Sequence, residues 1–257
     1  IKVKAKSSLK DRNFSRRGYT ERGVIDNTLR ERGAKIIPVD PRDPHHELVA
    51  SLTGIDVVIS AIHYESLNDE IPLSNAAKAA GAKRYVPCSF AIIAPRGIIK
   101  LHDKKEEILD HIQRIYLPYT VIDVGWWYQL MLACVPSAII DDPRTINKKV
   151  LVQTETKTQN EVHELVEKVT GEKPERTELS KEQLEAQYLQ FKDTDEICKT
   201  HSVIEYWMSW GVRGDNTAEN AVYLGYLLAS DLYPSLRGGS LEAFIQEIFN
   251  RKGEEVY

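Results

Sequence analysis

The sequence has few cysteines and no long hydrophobic run, and each of these absences excludes a class of protein. Three cysteines, Cys88, Cys134 and Cys198, occur among 257 residues, and none of them forms a CxxC motif. This number is too small for a disulfide framework and favours a reducing compartment, which we expect to be the cytoplasm. No apolar run approaches the roughly 18 residues that a membrane helix needs, so we expect no membrane partner.

The sequence also lacks an excess of charge of one sign. It carries 34 Lys and Arg residues against 38 Asp and Glu residues, which gives a formal net charge of −4. A nucleic-acid-binding protein would show a basic stretch, so we expect no nucleic-acid partner. The 42% of apolar residues and the length are typical of one large globular α/β domain, or of one domain with a smaller companion.

Motifs for cofactor and metal binding are missing as well. The 14 glycines form neither a G-x-G-x-x-G nor a GK[ST] motif, and Gly18 and Gly23 make only a GxxxxG. The phosphate-binding turn of a dinucleotide domain is therefore not visible in this sequence. The seven histidines show no HExxH and no metal spacing with cysteine, so we predict no metal site.

Strand-like and helix-like stretches alternate in the first half of the chain. Strand cores fall near residues 36, 57, 85 and 121, and helical patterns cover residues 43–52, 72–80 and 101–115. Residues 1–6 alternate apolar side chains with lysine, as a strand exposed on one face does. Short apolar strands separated by helices predict an open, doubly wound parallel sheet, which we assign to a domain of residues 1–136.

The second half has a different pattern, which we assign to a smaller, mostly helical domain of residues 137–257. A last sheet strand is predicted near residues 150–153, and helices over 160–169 and 240–250. Capping-box patterns begin at Ser180 and at Asn216, and the second one predicts a helix that continues to residue 228. We expect this region to cover the ligand crevice of the sheet domain.

Small and aromatic residues follow three predicted strands. Ligands of such sheets bind beyond the carboxyl ends of the strands, so we expect these segments to converge on one crevice. Taken alone, the small residues after the strand at residue 57 are better explained by ordinary strand-end packing, whereas core packing and a substrate wall explain the aromatic segment equally well. Cys88 is a nucleophile candidate with no partner histidine in evidence. The three segments are Ser60-Ala61-Ile62, Ser89-Phe90-Ala91 and Gly125-Trp126-Trp127-Tyr128.

Lys105 lies on the apolar stripe of the predicted helix over residues 101–115. It is four residues after Leu101, three before Ile108 and four before Leu109, all of which are apolar. A lysine in such a position is costly unless it has a task or a partner. It is either a lysine that extends its charge to solvent and pairs with an acid, or a proton donor in a site.

Taken together, these motifs resemble the isoflavone reductase-like (NmrA-like) family of atypical short-chain dehydrogenases. The resemblance covers roughly residues 35–250, and the C-terminal motifs resemble the fungal branch of the family. The central motifs are Asp56-Val-Val-Ile-Ser60, Lys83-Arg-Tyr-Val-Pro-Cys-Ser-Phe90, Lys105-x-x-Ile108 and Leu117-Pro-Tyr-Thr120. The C-terminal motifs are Val212-Arg-Gly-Asp-Asn-Thr217, Leu224-Gly-Tyr226 and Asp231-Leu-Tyr-Pro234.

The resemblance implies a Rossmann-like domain, the cofactor NADPH/NADP and reduction of an aromatic small molecule. The active-site lysine of the family corresponds to Lys105, as a proton donor or a group that orients a hydroxyl beside the nicotinamide. A basic residue and a hydroxyl that select the 2′-phosphate correspond to Lys6 and Ser7. The full set of expected cofactor contacts is Lys6, Ser7, Ser60, Ala61, Ile62, Ser89, Phe90 and Lys105. The expected substrate contacts are Gly125, Trp126, Trp127 and Tyr128.

The sequence departs from the family in a few places. Ala91 stands where the family usually has glycine, and the segment from Ser137 to Asp141 is shorter than in relatives. We expect missing stretches before Ile1 and beside Ser137-Ala138, because loss of a central strand would expose apolar sheet surface.

The predicted function is an NADPH-dependent reductase, or a redox-derived isomerase, that acts on an aromatic or polyketide-like small molecule. One alternative is a non-catalytic NmrA-type regulator that senses nicotinamide redox state and binds a protein partner. Another is a degenerate paralogue that binds no cofactor. Relatives of the regulatory kind tend to lack the lysine, so Lys105 favours the enzyme. A homodimer is also expected.

Overall fold

A computed structural model describes most of the chain from residue 35 to residue 250. The described residues are 2–4, 13–15, 35, 37–125, 135–173, 175–193, 197, 199–235 and 238–250. Of residues 2–4, 13–15, 135–137 and 199, the backbone alone is described.

The first sheet has four strands in the order β2-β1-β3-β4. They are β1 (Lys2–Lys4), β2 (Asn13–Ser15), β3 (Val57–Ile59) and β4 (Arg84–Val86). Strands β3 and β4 are parallel, with Val58 opposite Tyr85, whereas β1 runs antiparallel to both β2 and β3. The strands predicted near residues 57 and 85 are confirmed, and every residue of β4 is buried. The predicted strand over residues 1–6 is present as β1. It pairs antiparallel with both of its neighbours, whereas the sequence predicted a parallel sheet.

The strand predicted near residue 36 is wrong for the described residues around that position. Lys35 and residues 37–40 belong to no strand or helix, and a turn follows them. Pro38 and Pro41 lack the N–H that a sheet ladder requires. The backbone N–H of Asp40 instead donates to the side chain of Asp43 at 2.6 Å, which prepares the chain for the next helix.

Three helices of the first half lie where the sequence predicts them. They are α1 (His45–Leu52), α2 (Glu70–Ala79) and α3 (Lys100–Arg114), and a short 3₁₀ helix (Tyr64–Asp69) precedes α2. The apolar stripe of α3 is buried, since Leu101, Ile108, Leu109 and Ile112 are at most 9% exposed. The 3.6-residue period therefore identified the inner face of this helix correctly.

The second sheet has three strands in the order β5-β6-β7. They are β5 (Thr120–Asp123), β6 (Lys148–Leu151) and β7 (Leu227–Leu228). Strands β6 and β7 are parallel, with Val150 opposite Leu227. The strand predicted near residue 121 is confirmed, and the last predicted strand is present as β6, two residues earlier than expected.

The remaining elements are mostly helical, as predicted. The α-helices are α4 (Val135–Asp141), α5 (Gln159–Thr170), α6 (Lys181–Leu189), α7 (Lys199–Tyr206), α8 (Ala218–Tyr223), α9 (Ala229–Leu232) and α10 (Leu241–Asn250). A 3₁₀ helix (Pro143–Thr145) precedes β6, and a π-helix (Trp207–Arg213) follows α7. The predicted capping box at Ser180 is confirmed, because its hydroxyl accepts from the backbone N–H of Gln183. None of the helices in the described ranges is both long and apolar enough to cross a bilayer.

The capping box predicted at Asn216 is wrong by one residue. Thr217 is the N-cap of α8 and accepts from the backbone N–H of Asn220 at 3.2 Å. The side chain of Asn216 is used elsewhere, since it accepts from the backbone N–H of Ile93 at 3.0 Å. Helix α8 also ends at Tyr223 rather than at residue 228, because Gly225 turns the chain with a φ of 82°.

The chain forms two compact units that alternate along the sequence. The first unit contains residues 1–90, 100–122 and 142–149, and the second contains residues 91–99, 123–141 and 150–257. Tyr85, Ile108 and Ile112 are among the most buried side chains of the first unit. The second unit has a core cluster of Ile93, Leu151, Ala221 and Tyr226. The predicted domain division after residue 136 stays a prediction.

Candidate functional site

Lys105 and Ser89, which the sequence singled out separately, are in direct contact in the first unit. Lys105 lies in the second turn of α3, and its Nζ donates to the backbone carbonyl of Ser89 at 2.5 Å. Its side chain is half-buried. This contact holds the ammonium at the carboxyl end of β4, which is the side of a parallel sheet where ligands bind.

The carboxyl end of β3 lies beside the carboxyl end of β4. The backbone N–H of Ser60 donates to the carbonyl of Val86 at 2.8 Å, which extends the parallel ladder beyond the two strands. The side chain of Ser60 is 1% exposed, whereas Ala61 is exposed and Ile62 is half-buried. The structure thus brings the predicted segments 60–62 and 89–90 together at one edge of the sheet.

The hydroxyl of Ser60 is a buried polar group that the described residues do not satisfy. It makes no hydrogen bond of ordinary geometry to any described residue, although it lies close enough to Glu70 to lower the pKa of that carboxyl. A buried hydroxyl without a good partner is costly, which makes Ser60 a donor or acceptor that an incoming ligand can use.

Phe90 has a backbone conformation that its side chain disfavours. Its φ is 43°, which lies in the left-handed region, and its N–H donates to the carbonyl of Ile122 at 2.9 Å. For a bulky residue this conformation costs on the order of 1–3 kcal/mol. Such strain concentrates where a ligand must meet the backbone, and here it directly follows the carbonyl that holds Lys105.

Cys88, the nucleophile candidate at the end of β4, is not activated for nucleophilic attack. Burial is the main cause that raises the pKa of its thiol, to about 11. The Sγ atom donates to the carbonyl of Ile62 at 3.1 Å. A thiol held in this form carries little of the thiolate that nucleophilic chemistry requires.

Glu70 is a charged residue of this site that the sequence analysis missed. It is the first residue of α2 and is 1% exposed. Its Oε1 accepts from the backbone N–H of Cys88 at 2.9 Å and from the Tyr85 hydroxyl at 3.4 Å. Burial raises the pKa of Glu70, against the opposing effects of Ser60, Cys88, Lys105 and Tyr85. The predicted helix began two residues later, at residue 72, and an acid beside a helix start normally faces solvent, so no sequence pattern indicated this role.

The second unit contains a pocket of about 730 Å³, a volume typical of small-molecule sites. Helices α5 and α10 pack against each other and supply part of its lining. Lys168 and Glu242 join the two helices by an ion pair of 2.7 Å. The apolar part of the lining includes Val152, Val166, Trp210, Phe244 and Ile245, and its polar part includes Asn160 and His163.

Gly125 is the predicted substrate contact that lines this pocket. It follows β5 with a φ of 66°, and a Cβ added to it would lie 3.4 Å from the amide nitrogen of Asn216. Trp126, Trp127 and Tyr128 lie outside the described residues, as do Lys6 and Ser7. Sequence reasoning missed the part of the lining that α5 and α10 supply. The half-buried residues of an amphipathic helix look like ordinary packing residues in the sequence, and only the tertiary structure shows that these two helices enclose a pocket.

The residues that are present fit one side of a dinucleotide site. Ser60 offers an unsatisfied buried hydroxyl, Ala61 offers exposed backbone without a bulky side chain, and Lys105 offers a fixed ammonium. Ser60 and Ala61 follow the carboxyl end of β3, and Lys105 contacts the carboxyl end of β4, which is the side of a parallel sheet where ligands bind. Within the described ranges, no three His, Cys, Asp or Glu side chains are grouped so that they could hold a metal ion.

Comparisons with known proteins agree on one relationship. The family model described as the NmrA-like family matches residues 12–132. The chain is 40% identical to asnovolin J 5′,6′-dehydrogenase of Aspergillus novofumigatus (strain IBT 16806), and the match covers 86% of this chain and 82% of that protein. It is 25% identical to isoflavone reductase homolog P3 of Arabidopsis thaliana, over 87% of this chain and 84% of that protein.

A solved structure supports the same relationship at the level of the fold. The binary complex of leucoanthocyanidin reductase with NADPH from Vitis vinifera superposes with a TM-score of 0.74 at 19% identity. The superposition covers 87% of this chain and 85% of that one. The chain therefore has the Rossmann-like α/β fold that the alternating strands and helices predicted.

Proposed function

This chain belongs to the NmrA-like family as an isoflavone reductase-like oxidoreductase, and from that premise we propose that it is an NADPH-dependent reductase of an aromatic or polyketide-like small molecule. A redox-derived isomerase is the variant of this chemistry in which the product keeps the oxidation state of the substrate. The observation that carries the proposal is the hydrogen bond from Lys105 to the Ser89 carbonyl, because it fixes a proton donor at the carboxyl end of β4.

Lys105 has the donors that this role requires. A lysine ammonium carries three N–H donors, and the bond to Ser89 uses one of them. Another can donate to an oxygen of the substrate and deliver the proton as negative charge develops there. NADPH, when bound, supplies the hydride. The contribution of the protein is the orientation of the Nζ proton and the electrostatic stabilisation of that oxygen.

The cofactor contacts that we propose are the residues at the ends of β3 and β4. Ser60 has a buried hydroxyl available for a hydrogen bond, and Ala61 and Ile62 continue the same strand end toward solvent. Ser89 and Phe90 form the neighbouring edge. The strained backbone of Phe90 supports this assignment, since strain of this kind accumulates at ligand sites. Lys6 and Ser7 are proposed to bind the 2′-phosphate.

The 730 Å³ pocket of the second unit is our proposed binding site for the substrate. Trp210, Phe244 and Ile245 give it a wall suited to a flat, mostly apolar molecule, while Asn160 and His163 provide groups that can bind the oxygen atoms of such a molecule. Gly125 contributes to the same lining, and we propose that Trp126, Trp127 and Tyr128 contact the substrate as well.

The regulator alternative is not favoured, because the relatives above are named a dehydrogenase and reductases. One experiment separates the two functions. NADPH and NADP⁺ affinity are measured by fluorescence titration, and NADPH consumption is then followed with a panel of phenolic and polyketide-like compounds. Consumption with any compound supports the reductase. Unequal affinity for the two cofactor forms without consumption favours the regulator, and absence of binding favours the degenerate paralogue. A cytoplasmic location and a homodimer remain predictions.

A further inference from the structure

Glu70 occupies a position that the fold alone does not explain. An acid at the start of a helix stabilises it from the solvent side, through the helix dipole, and does not need to be buried. The Glu70 side chain is nevertheless 1% exposed. Burial of a carboxylate is costly unless charge and hydrogen bonds compensate for it, so the groups that surround Glu70 should reveal its role.

The hydrogen bonds of Glu70 lead directly to the anchor of Lys105. Its Oε1 accepts from the backbone N–H of Cys88 at 2.9 Å. The next residue is Ser89, whose carbonyl accepts from Lys105 at 2.5 Å. Glu70 and Lys105 therefore hold two successive residues of the same strand end, one through an N–H and the other through a carbonyl.

The charges of Glu70 and Lys105 also interact across a shared space. Both side chains line a cavity of about 10 Å³, which has room for about one water molecule. The positive charge of Lys105 acts on the Glu70 carboxyl. The hydroxyls of Tyr85 and Ser60 and the Cys88 thiol also act on the Glu70 carboxyl, and they are neutral at ordinary pH. Glu106 lines the same cavity, and its carboxylate pairs with Lys149.

We propose that Glu70 is a positioning residue for Lys105. Its buried carboxyl holds the Cys88–Ser89 backbone to which the Lys105 ammonium is bonded, and it faces that ammonium across the shared cavity. The proposal rests on the proposed function in so far as Lys105 is the proton donor. The coupling between the two side chains does not depend on the substrate and can be measured without it.

The direct test is the acylation rate of Lys105 in the full-length protein with acetic anhydride, followed by mass spectrometry of the Lys105 peptide. An Nζ that is held against the Ser89 carbonyl reacts slowly, so a strand end that is held less firmly should raise the rate. In Glu70→Gln we expect an increase of about threefold or more at slightly alkaline pH. The glutamine oxygen can still accept from the Cys88 N–H, but a neutral acceptor makes a weaker hydrogen bond than a carboxylate. Glu70→Asp, which keeps the charge, should stay near the wild-type rate.

Asp215→Asn is the matched control. Asp215 is also a buried acid, but it belongs to the second unit, where its carboxylate pairs with Arg213 at 2.8 Å. It should lose stability without a change in the acylation rate of Lys105. An equal rise in both variants would indicate general loosening of the structure and would overturn the proposal, as would an unchanged rate in Glu70→Gln.

A second readout uses turnover. Because burial raises the pKa of Glu70, wild-type kcat should fall as the pH is lowered through that raised pKa, since protonation turns the charged acceptor of the Cys88 N–H into a neutral one. In Glu70→Gln, kcat should be about tenfold lower at neutral pH, the acid limb should be absent, and the KM for NADPH should change little. A persistent acid limb contradicts the assignment. Altered acylation with no turnover in the wild type would refute the proposed function and leave the coupling intact.

Discussion

The ammonium of Lys105 donates to the backbone carbonyl of Ser89, with 2.5 Å between the two atoms. This bond joins the second turn of α3 to the carboxyl end of β4, so it ties a helical proton donor to the edge of the sheet where ligands bind. Phe90, the next residue, has a φ of 43°. The site therefore combines a fixed charge with a strained backbone, and both features are expected of a preorganised site.

Cys88 should be inert although it lies beside Lys105. Its pKa of about 11 leaves a thiolate fraction at neutral pH that is roughly a hundredfold below that of an ordinary cysteine. Alkylation by iodoacetamide, followed by mass spectrometry of the Cys88 peptide, should be slow in the native protein and fast in urea. Equal rates in the two conditions would show that the thiol is neither buried nor held by Ile62.

Lys6 should determine the preference of the protein for NADPH over NADH. If it binds the 2′-phosphate, Lys6→Ala should weaken NADPH binding about tenfold and leave NADH binding unchanged, because only NADPH carries that phosphate. Fluorescence titration of both cofactors gives the comparison, with Lys35→Ala, a change at an exposed lysine, as the control. Equal losses for the two cofactors would refute the assignment.

A larger side chain in the pocket of the second unit should weaken ligand binding there. Val166 lines the pocket on α5, and Val166→Phe adds volume there. We expect weaker binding of an apolar fluorescent probe such as anilinonaphthalene sulfonate and a KM for the substrate raised about tenfold, with NADPH affinity unchanged. Glu164→Phe, an exposed change on the same helix, is the control. If both variants behave as the wild type, the pocket does not bind the substrate.

The buried Glu70 carboxylate should lower the free energy of unfolding at neutral pH. Burial raises its folded-state pKa above the usual value of 4.5, so its contribution to stability is fully present below that value and is lost as the pH rises through the raised pKa. Glu70→Gln does not titrate. Its Tm should therefore exceed that of the wild type by a few degrees at pH 8, and the difference should shrink toward pH 5. A lower Tm for the variant at both pH values would contradict this account.

The parts of the fold that the sequence predicted are those governed by local periodicity. The stripe of α3 was visible from Leu101 to Ile112 because a helix buries every third or fourth residue. The strands at Val57–Ile59 and Arg84–Val86 were visible as short apolar runs between helical stretches. Lys105 was identified for the same reason, since a lysine on an apolar stripe conflicts with the pattern around it.

The errors arose where distant residues compete for the same group. The Asn216 side chain could have capped α8, but the backbone N–H of Ile93, which is remote in sequence, binds it and leaves the cap to Thr217. Glu70 was missed because only the tertiary structure places the Cys88 N–H beside it. Contacts of this kind depend on tertiary structure, and no local pattern encodes them.

The most direct test of the central claim is turnover of Lys105→Ala, measured together with its NADPH affinity. The substrate is the compound that gives the fastest NADPH consumption with the wild-type protein. Because Lys105 is assigned the proton and not the binding energy of the cofactor, we predict that kcat falls about a hundredfold or more, while the NADPH dissociation constant changes less than about threefold. An unchanged kcat would contradict the account.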